Sequence, residues 1–100
     1  MNISKGLIVR LEAKPGKERA VADFLRAALP LVEQEPKTIA WFAFQTGASS
    51  FAIVDVFPDD GARRDHLEGP VAAALGEHAS ELLAQPPLIE SVDALATRLP

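Results

Sequence analysis

Two side chains in this sequence could carry acid–base chemistry in an apolar setting, and the first is Asp55. It is the one charged residue in the apolar stretch from Phe51 to Phe57. A carboxylate enclosed by apolar groups is a stronger base than one in water. It could therefore accept the proton of a phenolic substrate. The alternative is an ion pair, for example with Arg10 or with an arginine of a partner chain, since buried carboxylates are usually paired.

The second candidate is His66, on a short helix predicted to follow that stretch. An imidazole there could serve as a catalytic base, a haem ligand or a lid residue. The alternative is that it caps a helix or lies at a subunit boundary. His78 is predicted to face solvent. The two histidines have no third ligand at a recognisable spacing, so no metal site is expected.

The stretch that contains Asp55 is predicted to be the second strand of a hairpin spanning 38–58. Its turn is predicted at 45–50, with Gly47 available for a positive φ. If Phe44 pairs with Phe51, alternation places one set of side chains on one face and Trp41 on the other, against the helices. The first set comprises Ala40, Phe42, Phe44, Phe51, Ile53, Asp55 and Phe57.

Both faces of this hairpin are apolar, whereas a single-layer sheet normally has one polar face. The helices of one chain can cover only one face, so a second copy is predicted to cover the other and to enclose a pocket at Asp55. Predicted substrate contacts are Phe42, Phe44, Phe51, Ile53 and Phe57. Alternatively, these aromatics only fill a dimer core. Arg63 is at best a guard of the pocket mouth against an anionic substrate, and otherwise lies on a solvated helix face.

The remaining elements follow from apolar periodicity and from the breaks at glycine and proline. Pro30 should kink or restart the first helix. The order β-α-β-β-α-β is typical of an α+β ferredoxin-like fold, with a four-stranded antiparallel sheet and helices on one face. One domain is expected over 1–100, with a tail at 97–100, and two sheets face to face would form a homodimeric α/β barrel. Strands are predicted at 6–13 and 88–95, and helices at 17–34, 63–68 and 71–84.

Composition excludes several classes of function. The net charge is −4 and no basic cluster is present, which argues against nucleic-acid binding. The absence of cysteine excludes disulfides, zinc–thiolate sites and cysteine nucleophiles, and is consistent with a cytoplasmic protein. No segment is long and apolar enough for a membrane span or a signal peptide. The sequence also has no tyrosine.

The chain resembles the antibiotic biosynthesis monooxygenase family of dimeric α/β-barrel proteins over residues 7–95. The resemblance implies a dimer, and an activity that oxidises aromatic polyketides or quinols with dioxygen and without metal or flavin. It also implies a Glu and a Trp where Asp55 and Phe57 stand, a Tyr at Trp41 and a His near Phe44. The motifs that carry it are Ala13-Lys14-Pro15-Gly16, Glu35-Pro36, the strand 51–57, Asp65-His66-Leu67 with Gly69-Pro70, and Pro86-Pro87.

The first functional hypothesis is accordingly a cofactor-independent monooxygenase for a small aromatic, phenolic or quinol compound, with Asp55 and His66 as catalytic residues. The alternative is a non-catalytic dimer of the same fold that binds a small apolar ligand or has a regulatory role. Haem degradation is the weaker third hypothesis, because His66 is the one candidate axial ligand.

Overall fold

The structure, a computed structural model, describes residues 2–100. Met1, the first residue of the predicted domain, lies outside them. The elements in chain order are β1 (Lys5–Glu12), α1 (Glu18–Val32), β2 (Ala40–Gln45), β3 (Ser50–Phe57), α2 (Asp60–Leu67), α3 (Pro70–Leu82) and β4 (Leu88–Asp93).

The four strands form one antiparallel sheet in the order β2-β3-β1-β4, and the helices cover one of its faces. This confirms the predicted α+β ferredoxin-like fold. The second helical region consists of two helices, because Gly69 and Pro70 end one and begin the next. Proline is well suited to the first helical position, where its missing N–H would be unpaired in any case.

The core lies between the central strands and α1. Leu7, Val9 and Leu11 alternate along β1 and are buried, as strand geometry requires for residues on one face. The buried residues of α1 recur every three or four positions and form a single stripe: Val21, Leu25, Ala28 and Val32. The helix continues through Pro30 without a restart and ends two residues later, so the proline affects only its last turn.

The predicted hairpin register is wrong by one residue. Phe44 pairs with Ala52 rather than Phe51, and Phe42 pairs with Val54. The reason is the turn: Gln45 extends β2 and pairs with Phe51, which leaves a shorter loop than predicted. The predicted positive φ at Gly47 is also absent; among residues 2–100, Gly16 has the positive φ, at 86°.

The slip exchanges the faces of β3 but not those of β2. The side chains predicted to point away from the helices instead point toward them and are at most 4% exposed: Phe51, Ile53, Asp55 and Phe57. Trp41 packs against the core, as predicted. Because both faces of the hairpin are apolar, alternation alone cannot tell which set of β3 belongs to the core.

The other face of the sheet, which we call the open face, is covered by none of the helices among residues 2–100. Phe42 and Phe44 lie there, 46% and 51% exposed, with their rings stacked at 5.9 Å between centroids. The same face carries the smaller apolar side chains of the central strands: Ile8, Ala52, Val54 and Val56.

Candidate functional site

His66 lies between two carboxylates. Its Nδ1 is 2.6 Å from Oε1 of Glu35, and its Nε2 is 3.0 Å from Oδ2 of Asp55. The side chains of Asp55 and His66 are 1% and 7% exposed, and that of Glu35 is 15% exposed. We call these three residues the buried triad.

Asp55 is held by the centre of the sheet. It lies on β3 between Leu7 of β1 and Trp41 of β2, and its side chain points toward the helices. A backbone bonded on both sides leaves the carboxylate little freedom to move away from the core.

α2 brings His66 to that carboxylate. Asp59 caps the helix by accepting a hydrogen bond from the backbone N–H of Ala62 at 2.8 Å, a cap commonly provided by Asp. Ala62 and His66 are four residues apart, so they share the buried face of α2. The ring of Phe57 lies against the imidazole, with 5.3 Å between centroids.

Glu35 is placed by the turn that follows α1. Its backbone N–H bonds to the carbonyl of Val32 at 2.9 Å, and the hydroxyl of Thr38 donates to Oε1 at 2.7 Å. Gly69 passes close by: a Cβ there would lie 3.1 Å from the carbonyl oxygen of Asp65 and 3.6 Å from Oε2 of Glu35. The tight approach is to the backbone at the end of α2, since 3.6 Å is an ordinary van der Waals distance, so glycine at this junction allows α3 to begin close to α2 beside Glu35.

The electrostatics favour the imidazolium form of His66. Burial by itself lowers the pKa of His66, but the contacts and charges of Asp55 and Glu35 together outweigh burial and raise it. A cation between two carboxylates is the expected way to bury such charges, since each gains an opposite partner.

A cavity of about 230 Å³ lies between the sheet and the helices, and we call it the interior cavity. Its polar end is formed by Asp55 and His66, and Trp41 lies beside them. The rest of its wall is almost entirely apolar and includes Val9, Phe24, Leu25, Ala28, Ile53, Leu67, Val71, Leu75, Pro87 and Ile89.

Three polar atoms of this wall are buried without a hydrogen-bond partner among residues 2–100: both carboxylate oxygens of Asp55, which are acceptors, and Nε1–H of Trp41, a donor. Oδ2 is the oxygen that lies 3.0 Å from Nε2 of His66, which leaves Oδ1 as the acceptor for the cavity. Buried polar atoms are nearly always satisfied by protein or by water. An acceptor and a donor left free in one cavity match a hydroxyl group, which both donates and accepts.

Two further depressions differ from the interior cavity. A groove of about 410 Å³ runs between α1 and β2 and contains none of the buried triad. A cleft of about 200 Å³, which we call the outer cleft, is lined by Glu35, Lys37, Thr38, Asp65, His66 and Pro70. His66 therefore borders both the interior cavity and the outer cleft.

The structure brings together some of the predicted site residues and separates others. Asp55, His66 and Ile53 meet at the interior cavity, which lies within one chain rather than in the predicted intersubunit space. Phe57 is fully buried behind His66. Phe51 borders the groove instead.

Phe42 and Phe44 lie on the opposite face from Asp55, so the prediction that they share its face is wrong. Arg63 does not line the interior cavity. Its guanidinium donates to the carbonyl oxygens of Gly6 and Val92 and pairs with Asp60 at 2.7 Å. Arg10, considered as a partner for Asp55, instead lies near Glu90 on the open face.

Metal binding finds no support in the site. The two carboxylates lie at opposite nitrogens of the imidazole, so the three side chains do not converge on one point. Within residues 2–100 no group of three acidic, histidine or cysteine side chains is arranged to hold an ion. In the same part of the chain, no helix has the length and apolarity to cross a membrane.

Sequence reasoning missed Glu35 as a site residue and read Trp41 only as core. In the sequence, Glu35 stands before Pro36 and indicates only that the first helix ends there, with no sign that its carboxylate belongs to a site. Thr38, three residues later, is the nearest signal of an ordered carboxylate, because a hydroxyl at that spacing can bond back to it.

The chain is similar in fold to several solved structures, and to one of them also in sequence. A protein of unknown function from Nitrosomonas europaea, NE2512, is 52% identical, with a TM-score of 0.96 over 98% of this chain and 95% of that one. PA3566 from Pseudomonas aeruginosa is 23% identical, with a TM-score of 0.81 over 96% of this chain and 98% of the other.

A structure described as an antibiotic biosynthesis monooxygenase is 21% identical, with a TM-score of 0.78 over 92% of this chain and 99% of the other. At that identity the likeness concerns the fold. No protein-family model and no curated protein matches the chain.

Proposed function

Because the chain belongs to one family with the NE2512 protein and has the fold of the antibiotic biosynthesis monooxygenases, we propose that it is a cofactor-independent monooxygenase. Its substrate class is a small phenol or quinol, which is oxidised by dioxygen in the interior cavity. One observation supports this most: the free acceptor of Asp55 and the free donor of Trp41 lie in an otherwise apolar cavity.

The cavity favours a small substrate. Its volume of about 230 Å³ is below the roughly 300–1,000 Å³ of pockets for drug-sized ligands. One or two fused rings fit this space, with the hydroxyl group at the polar end. Oδ1 of Asp55 would accept the proton of this hydroxyl group, and Nε1–H of Trp41 would donate a hydrogen bond to the hydroxyl oxygen of the substrate.

Deprotonation is the step that this geometry can catalyse. A phenolate is more electron-rich than a phenol and can give an electron to dioxygen, after which the two radicals form a C–O bond. The C–H bond at that carbon and the O–O bond of the resulting hydroperoxide then break. One oxygen stays as a quinone carbonyl and the other leaves as water, so that substrate and dioxygen exchange four electrons in total.

The surroundings serve the same step. The apolar wall keeps water from the intermediates, and proximity to the base replaces a bimolecular encounter. Asp55 takes the proton, and when this proton passes on to His66 the resulting imidazolium compensates the negative charge of the phenolate.

We also propose a homodimer in which two open faces pack together. The stacked Phe42 and Phe44 are about half exposed, and they continue into the apolar side chains of β3. Extended apolar patches of this kind mark interaction sites on soluble proteins. In this arrangement the aromatics form the dimer interface, and each chain keeps its own interior cavity.

A binding role without catalysis is the second candidate function. It is favoured by the contact of Asp55 with His66, because an acid already paired with a cation is a weaker base. In that case the cavity holds a small apolar ligand and consumes no oxygen.

Oxygen uptake tests the first function. Phenols and quinols of one or two rings are incubated with the protein without added flavin or metal, and dioxygen is followed with an electrode. Asp55→Asn should lower kcat by about 10²- to 10⁴-fold, because the amide keeps the shape and loses the basic oxygen. Asp23→Asn is the matched control, since Asp23 is 62% exposed on α1 and lines none of the described cavities.

Full activity in Asp55→Asn would remove Asp55 from the mechanism. Binding of such compounds without any oxygen uptake would favour the second function.

A further inference from the structure

We propose that His66 and Glu35 form a proton path from the interior cavity to the outer cleft, with Glu35 as the exit. The proposal deepens the proposed function, because it states where the substrate proton goes after Asp55 has accepted it. The path also exists in the ligand-free protein, so it can be tested without a substrate.

The two sides of the imidazole face different spaces. On the Nε2 side lies Asp55, which is 1% exposed and lines the interior cavity. On the Nδ1 side lies Glu35, which lines the outer cleft and retains 15% exposure. His66 is the residue that separates the two, and it is itself almost fully buried.

The contacts are short enough for proton transfer along the whole path. Nδ1 of His66 and Oε1 of Glu35 are hydrogen-bonded at 2.6 Å. Nε2 lies 3.0 Å from Oδ2 of Asp55, which is also hydrogen-bond distance, but the ring N–H is not aligned on that oxygen, so transfer there requires the imidazole to tilt toward it. Imidazole can take up a proton at one nitrogen and release another from the opposite nitrogen. A proton entering at Nε2 can thus leave at Nδ1 without a flip of the ring.

The transfers balance as follows. A substrate hydroxyl gives its proton to Asp55, and Asp55 passes a proton to Nε2 of a neutral His66 that carries its proton on Nδ1. The imidazolium then gives the Nδ1 proton to Glu35, and Glu35 releases it to water in the outer cleft. No electrons move in these steps. The path then has both carboxylates deprotonated and His66 carrying its proton on Nε2. When the leaving oxygen becomes water, a proton returns from the outer cleft to Nδ1 and the Nε2 proton passes back through Asp55 to that oxygen, so that no net proton is released and the starting tautomer is restored.

Release to water depends on the access of Glu35 to the outer cleft, where its side chain is 15% exposed. Thr38 donates to Oε1 of Glu35 at 2.7 Å, whereas Oε2 is buried without a partner among residues 2–100. Lys37 and Asp65, which pair at 3.4 Å, are the other charged residues of the outer cleft and are both largely exposed. No charged residue of α3 lines either space. The two carboxylates that raise the pKa of His66 also stabilise the imidazolium through which the proton passes.

A purely structural role for Glu35 makes the opposite prediction. If Glu35 only holds the imidazole in place, weakening the contact frees the ring and exposes its protons to water. If Glu35 is the exit, weakening its basicity closes the route, and the ring protons exchange more slowly.

The test is hydrogen exchange between the ring N–H groups of His66 and water, measured by NMR on protein labelled with ¹⁵N-histidine. The chain has two histidines, so the exposed His78 serves as an internal reference. In Glu35→Gln the Nδ1 proton of His66 should exchange more slowly than in the wild type, by a factor of up to about ten, because the internal base that removes it has been lost. Glu33→Gln, the same change at an exposed position two residues earlier, should leave the rate as in the wild type.

Unchanged or faster exchange in Glu35→Gln would overturn the proposal. If that variant does not fold, Glu35→Asp keeps the charge but draws the carboxylate back from Nδ1. It should slow exchange as well, and faster exchange would again refute the path.

Turnover separates this proposal from the function on which it rests. With an oxidised substrate, Glu35→Gln should lower kcat, leave KM unchanged and alter the pH profile of kcat. Slow exchange in this variant, together with no oxygen uptake in the wild type, would support the path and refute the monooxygenase. If the wild type consumes oxygen but Glu35→Gln changes neither the exchange rate nor kcat, the monooxygenase is supported and the proton path is refuted.

Discussion

Removing the imidazole from the buried triad should destabilise the fold strongly and in a pH-dependent way. In His66→Gln, the carboxylates of Asp55 and Glu35 lose the cation between them while remaining 1% and 15% exposed. Removal of one partner from a buried ion pair costs about 3–5 kcal/mol. For a domain of this size, that corresponds to a fall in Tm of roughly 12–40 °C.

The sign of the pH dependence follows from the raised pKa of His66. A group whose pKa is higher in the folded than in the unfolded state stabilises the fold most below its unfolded pKa, which is about 6.5 for histidine. This contribution is lost as pH rises through the folded pKa. The gap in free energy of unfolding between wild type and His66→Gln should therefore be larger at pH 6 than at pH 10.

Urea unfolding followed by the fluorescence of Trp41, the single tryptophan, measures this gap. All samples need one protein concentration, since a dimer would make stability concentration-dependent. A double-mutant cycle with Asp55→Asn should give a coupling energy of about 0.5–3 kcal/mol at pH 6. An equal gap at both pH values, together with additive single effects, would show that the imidazole only fills space.

Three further predictions concern the open face, the cavity and α3. Phe44→Lys places a charge on the open face and should convert a dimer into a monomer. Light scattering should show the mass fall from about twice the chain mass to one, and circular dichroism should show that the monomer is folded. A wild-type protein that is already monomeric would refute the open-face interface. Trp41→Phe should weaken the binding of 4-nitrophenol about 2- to 12-fold, the worth of one hydrogen bond of about 0.5–1.5 kcal/mol; unchanged affinity in an absorbance titration would mean that the indole N–H does not contact the ligand. Gly76→Ala should raise the free energy of unfolding by about 0.5–1 kcal/mol, because a helical glycine is replaced where a Cβ meets nothing within 4 Å; a lower melting temperature would contradict this.

The sequence by itself was sufficient for the fold and for part of the site. The three-and-four spacing along α1 and the alternation along β1 identify the core faces, because each of these elements has one apolar and one more polar side. Asp55 stands out as the one charge in an apolar strand, and His66 as a histidine on the helix that follows. The β-α-β-β-α-β order then follows from the breaks at glycine and proline.

Only the tertiary structure decided which way Asp55 points. Both faces of β3 are apolar, so its orientation depends on the pairing with β2, and one residue in the turn shifts that pairing. The larger side chains of β3 fill the space beneath α1, whereas the smaller Val54 and Val56 remain on the open face. Glu35 meets His66 across 31 positions of sequence because the turn that follows α1 lies against the last turn of α2. Local periodicity carries no information about such a contact, which arises only when the helices pack on the same sheet.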